Sequence, residues 1–169
     1  MLVPSLIDSR SLAAPARNPA VLDLARVARG GAVIATVDLA FCLLFWMPQG
    51  ISLQRLWQSV AAGALGAAAF AGGWPVALLG ACLQWLIGTA FVLAYAAATL
   101  RLPGLRRHWG WHGVAYGLVL YVVMLQGVVP LSAAPPPAHP NLAWTLACVP
   151  MFVVFGLLAA WYGARVPRR

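Results

Sequence analysis

The chain has no lysine and no glutamate, and its acids are three aspartates, Asp8, Asp23 and Asp38. Chemistry that sets one carboxyl group as acid against another as base has almost no material here. Cysteine is scarce too. Cys42, Cys82 and Cys148 fall one to an apolar segment, a pattern that neither frames a disulfide network nor spaces the ligands of a metal. They read as small packing residues. There is no glycine-rich phosphate loop and no nucleophile elbow. The chain is not expected to be an enzyme, nor to carry a cofactor or a metal.

What is present is overwhelmingly apolar. Of 169 residues, 63% are hydrophobic and 8% charged, and the mean hydropathy is +0.85. A soluble domain of this length has too little interior to hide that much apolar surface. Runs of bilayer length therefore imply an all-α, polytopic membrane protein built as one domain. The formal charge of +8 comes from eleven basic residues, all arginine. In a soluble protein that balance would point to nucleic acid. Here the arginines flank apolar runs, so they read as topology signals and as contacts to anionic lipid, and no nucleic-acid partner is expected.

Residues 1–18 hold two prolines and no periodicity and are expected to form a flexible tail. From Pro19, Val21, Leu22, Leu24, Ala25 and Val27 alternate with Asp23, Arg26 and Arg29, the pattern of a short interfacial helix. Spans are then expected over about 30–47, 75–100, 113–131 and 142–164. The stretch 53–72, rich in alanine and glycine, is ambiguous between a fifth span and a helix at the interface. Arginine placement decides. The N-terminal flank, the 100–112 loop and the C-terminus are arginine-rich, whereas residues 48–73 hold only Arg55 and the 132–142 loop holds none. Four spans put every arginine-rich segment on the cytoplasmic side, and five would not. The 53–72 segment is thus expected as an interfacial or half-inserted helix, with Arg55, Gln58 and Ser59 offered to the interface. That trio motivates a lipid-binding role.

Small residues recur at helical spacing. Gly80, Gln84 and Gly88 share one face of the second span, Gly113 and Gly117 open the third, and Gly156 with Ala160 marks the fourth. Such faces let helices approach closely. Pro150 predicts a kink in the fourth span. His108 and His112 stand four apart in HWGWH, but no carboxylate or thiol lies near them, and Trp109 and Trp111 beside them suit an interfacial anchor.

Asp38 is the one acid inside an apolar run. An unpaired carboxylate at mid-bilayer costs on the order of 2.5–3.5 kcal/mol even on the lenient insertion scale. Counting from the outer ends at about 1.5 Å per residue places Asp38, Gln84 and Tyr121 at one depth. A sequential 1-2-3-4 bundle would then bring them together as a mid-membrane polar layer. Two readings follow: a structural tether of the first span, which is preferred, and a titrating group that couples a proton to a solute.

The segment Arg55-Leu-Trp-Gln-Ser-Val-Ala-Ala-Gly-Ala-Leu-Gly66, with Ala69-Phe-Ala-Gly-Gly73, Gly117-Leu-Val-Leu-Tyr121 and Val128-Val-Pro-Leu-Ser132, resembles a family of small four-span bacterial inner-membrane proteins, distantly YagU-like. The resemblance covers roughly residues 30–165. It implies four spans in the bacterial inner membrane and no particular activity. Where the family carries charged residues in the 66–73 stretch and a histidine in the second span, this chain has Ala67, Ala71 and Gln84. The functional expectation is a structural or accessory membrane component, in contact with lipid and with a second copy or another membrane protein through its small-residue faces. The alternative is a small proton-linked transporter or permease working as an oligomer through the Asp38 layer.

Overall fold

The computed structural model describes residues 23–136 and 141–165. The expected tail over 1–18 lies outside the described residues, as does the start of the interfacial helix. Helix α1 (Leu24–Trp46) is capped by Asp23, whose carboxylate accepts the Arg26 N–H at 3.1 Å. The amphipathic residues and the first span form one continuous helix rather than two. Gly30 and Gly31 do not interrupt it, because both are buried in close contact with Tyr162 and Thr89.

A 3₁₀ turn at Met47–Gln49 and Gly50, at φ 83°, reverse the chain. Helix α2 (Leu53–Leu65) follows, its first turn held by the Ser52 hydroxyl, and it tightens into a 3₁₀ segment at Gly66–Ala71. Helix α3 (Gly73–Arg101), the short α4 (Gly104–Arg107) and α5 (Trp109–Val122) come next. Helix α5 continues without a break through a π segment, Val123–Val128, into the last turn α6 (Val129–Leu131). Helix α7 (Leu142–Ala164) completes the fold and runs through Pro150.

Four stretches are long and apolar enough to cross a bilayer: Leu24–Gln49, Gly73–Arg101, Trp109–Leu131 and Leu142–Ala164. Helix α2, with 13 residues, spans only about 20 Å against a hydrocarbon core of about 30 Å. The chain is an all-α, multi-pass membrane protein. Large apolar side chains such as Leu44, Leu131 and Leu142 stay exposed on it, as lipid-facing surface requires. Of the described arginines, Arg26, Arg29, Arg101, Arg106, Arg107 and Arg165 share the end of the bundle where α1 begins and α7 ends. Arg55 stands at the opposite end, called here the far end. Two of the first group close α7: Arg26 Nη1 donates to the Arg165 carbonyl at 2.5 Å and Arg106 Nε to the Ala164 carbonyl at 2.6 Å. Cations there complement the negative end of the helix.

The packing order departs from a 1-2-3-4 ring. Helices α1, α3 and α7 contact one another, α5 lies chiefly on α7, and α2 lies on α3. Small residues dictate this. A Cβ at Gly117 would strike the Phe152 carbonyl, and one at Gly156 would strike the Gly113 carbonyl. The backbones of α5 and α7 are therefore in direct contact. The Gly80–Gly88 stripe serves two partners: Gly80 rests on the Trp57 carbonyl of α2 and Gly88 on the Gly31 carbonyl of α1. The small-residue faces expected to recruit a second copy are spent inside the chain. The main core, Val27, Ile34, Val92, Tyr95, Phe155, Ala159 and Ala160, fills the end that carries most arginines. A smaller cluster, Ala61, Ala62 and Ala69, seats α2.

Replacing Gly156 by Ala should lower unfolding stability by about 1–3 kcal/mol, because its methyl group must displace backbone. Gly110→Ala, where a Cβ meets nothing within 4 Å, should be neutral or slightly stabilising. Denaturant titration in mixed micelles reads both.

Candidate functional site

At the far end the bundle is not closed. Helix α5 leans on α7 and leaves a gap towards α1 and α3, roofed in part by α2 and the 132–134 turn. The gap is a cavity of about 360 Å³. Its walls are mostly apolar: Ile34, Phe41, Phe91, Met124, Trp144 and Phe155 are representative. Polar groups in it are few: Asp38 and Gln84 at mid-span, and the hydroxyls of Ser59 and Ser132 nearer the far end.

Asp38 is set by its register on α1. Gln84 reaches it from α3, the helix that Gly88 draws against Gly31 one turn away. Gln84 Nε2 donates to Asp38 Oδ2 at 2.7 Å and lies 3.5 Å from the Ala35 carbonyl. The Cys42 thiol, one turn along α1, lies 3.8 Å from Asp38 Oδ1. Both partners are neutral. Among the described residues no arginine or histidine lines the cavity. The titratable groups facing Asp38 are the thiols of Cys42 and, from α7, Cys148. The other elements present Ser59 (α2), Gln84 (α3), and Met124 and Leu125 (the π segment).

Tyr121 does not join this layer. Its hydroxyl donates to the Thr145 carbonyl at 3.3 Å, and its ring rests edge-on against Phe152, itself a cavity-wall residue. The depth is right and the direction is not, because the third span packs on the fourth and turns Tyr121 towards α7. The interfacial trio also separates. Gln58 is buried, 3% exposed, and its amide donates to the Gly73 carbonyl at 3.1 Å, tying α2 to the start of α3. It belongs to the seam with Ala61 and Ala62, not to the interface. Arg55 is exposed with its guanidinium 4.0 Å above the Phe70 ring. Ser59 is exposed, donates to the Leu56 carbonyl at 2.6 Å, and lines the cavity.

Two features of the wall were not read from the sequence. The first is an aromatic cluster at the far end: Trp144 stacks on Phe41 at 5.4 Å between centroids and meets Phe45 and Trp46 at 5.0 and 5.2 Å. The second is the π segment, where the Val129 N–H bonds to Met124 O, five residues back. Pro130 has no N–H to return to the Gln126 carbonyl, so the ladder loosens in the preceding turn. Met124, Leu125 and Val128 of that loosened ladder line the cavity. Elsewhere, His112 Nδ1 lies 2.8 Å from the His108 carbonyl, and among the described residues no three His, Cys, Asp or Glu side chains gather.

No protein-family profile, curated protein or solved structure matches the chain.

A double-mutant cycle between Asp38→Ala and Gln84→Leu should give a coupling energy of about 1–2 kcal/mol, in the range of a charge-assisted bond tempered by the membrane reference state. The same cycle between Asp38→Ala and Tyr121→Phe should give none. Unfolding of the four proteins of each cycle in one detergent supplies the comparison.

Proposed function

We propose that this is a multi-pass protein of the bacterial inner membrane, with both termini cytoplasmic, that holds a small solute in the Asp38 cavity and exchanges a proton there. Working as an oligomer, it passes that solute across the membrane. The observation that carries the reading is that, among the described residues, one carboxyl group faces a cavity of about 360 Å³ with only uncharged groups beside it. An intramembrane acid with space in front of it and no counter-charge is the arrangement that proton relays and solute pathways use. The π segment in the opposite wall adds support, since such turns collect at functional sites. Orientation rests on arginine: six described arginines lie at the end where α1 begins and α7 ends, and Arg55 at the other. The cavity then opens to the non-cytoplasmic side. Four spans alone seldom enclose a complete pathway, which is why the proposal includes a second copy.

The second reading, an accessory membrane component in which Asp38 is a tether, is favoured by the 2.7 Å bond to Gln84. It predicts no consequence from the cavity. The two part company at Asp38→Asn. An amide keeps the shape and a hydrogen bond to Gln84, so the variant should fold with stability within about 1 kcal/mol of the parent. If Asp38 exchanges a proton, pH-driven flux in proteoliposomes should vanish; flux and stability both retained would leave only the tether.

Access and orientation are read together. With Cys42, Cys82 and Cys148 replaced by alanine, Ser59→Cys and Met124→Cys should react with a membrane-impermeant methanethiosulfonate applied to spheroplasts. Gly104→Cys, at an exposed site where a Cβ meets nothing, should react only after the membrane is opened. The reverse pattern would invert the orientation.

A further inference from the structure

We propose that the occupant of the Asp38 cavity is an organic cation, a protonated or quaternary amine on an apolar body about the size of an aromatic ring. This rests on the cavity being a solute chamber, as argued above, and assigns the chemical class of the solute.

Charge comes first. Among the described residues Asp38 is the only formally charged side chain in the lining, and its hydrogen-bond partners, Gln84 and Cys42, bring no positive charge. When Asp38 is ionised, a cationic occupant supplies the compensating charge that the described wall does not; when it is protonated, that occupant is released. Size comes second. About 360 Å³ lies in the range of small-molecule sites and is an order of magnitude above the volume of one water. A bare metal ion does not need that room. A hard cation also demands six or more oxygens, which this lining cannot supply. Wall chemistry comes third. Phe91, Phe152 and Phe155 line the cavity with Asp38, and Trp144, held by its stack on Phe41, lines it nearer the far end. Aromatic faces attract a cation in a desolvated site, and tryptophan does so best. They also match the apolar body that an inorganic cation lacks. An anionic or zwitterionic solute would set its negative group against Asp38 with no arginine or histidine among the described lining residues to receive it.

The test compares two molecules of one shape: benzyltrimethylammonium and its carbon isostere neopentylbenzene, which differ in charge. The full chain is placed in phosphatidylcholine nanodiscs and binding of the cation is measured by calorimetry against empty discs. The cation should bind saturably at one site per chain. Its affinity should fall at least tenfold in Asp38→Asn and severalfold in Trp144→Leu. Neopentylbenzene in excess should not displace it. The assignment is overturned if no saturable binding is seen, if Asp38→Asn binds equally well, or if prior addition of the isostere abolishes the binding heat as prior saturation with the cation does. The isostere comparison uses the unaltered protein, so it decides even where a variant fails to fold. Failure of cation binding while Ser59→Cys and Met124→Cys remain reactive removes the cation and leaves the chamber. Unreactive cysteines together with absent binding remove both.

Discussion

A bilayer offers no hydrogen bonds, so every polar group carried into it must find its partner inside the protein. No buried side-chain nitrogen or oxygen among the described residues lacks a partner. Gln58 reaches the Gly73 carbonyl, Tyr95 the Leu105 carbonyl and Tyr116 the Phe91 carbonyl. Each of these bonds ties one element to another: α2 to α3, α3 to α4, and α5 back to α3. Asp38 obeys the hydrogen-bond rule through Gln84, yet among the described residues no cation stands in the cavity wall beside it. It differs from the other polar groups named here in that respect, and it faces the gap between α5 and the α1–α3 pair.

Where the backbones touch decides where that space falls. Glycine at 113, 117 and 156 brings α5 and α7 into contact near the end that carries most arginines, and Tyr116 fastens α5 to α3 at the same level. Beyond that point the third span has no small-residue face directed at α1 or α3. Pro130 loosens its ladder, and the helix follows α7 instead. One end of the bundle is thus packed solid around Val92, Tyr95 and Phe155, while the other is held open around Asp38. The cavity is a consequence of close packing elsewhere, not a local defect.

The sequence made some of this legible. Four spans and a short helix between the first two followed from run length and arginine placement, because hydropathy and charge are properties of segments and survive without tertiary information. Depth counting placed Asp38 and Gln84 at one level for a similar reason: helical rise is fixed. The same count put Tyr121 at that level, where it meets Thr145 instead. Depth says nothing of direction, and direction depends on which helices are neighbours. The Gly113–Gly117 spacing announced a close approach without naming Gly156 as its object or telling an internal partner from a second copy. Arginine placement assigns the whole 53–72 segment to the interface and Gln58 with it, whereas its side chain lies in the seam with α3. Trp144, separated by some hundred residues from Phe41, carried no signal until the chain was folded.

The remaining choice is between tether and binding group, and the volume in front of Asp38 bears on it. A tether needs a partner, and Gln84 is sufficient. It does not need a void. The gap of about 360 Å³ is open at the far end, and small residues stand in its wall where larger ones would fill it. Gly63 and Ala35 line the cavity, and a Cβ at Gly63 would meet only Ser132, at 3.9 Å. A leucine at either position would narrow the space without touching the Asp38–Gln84 bond. A chain selected only to hold its first span in place has no use for both small wall residues and an uncompensated carboxylate. A chain that admits a positively charged occupant needs both.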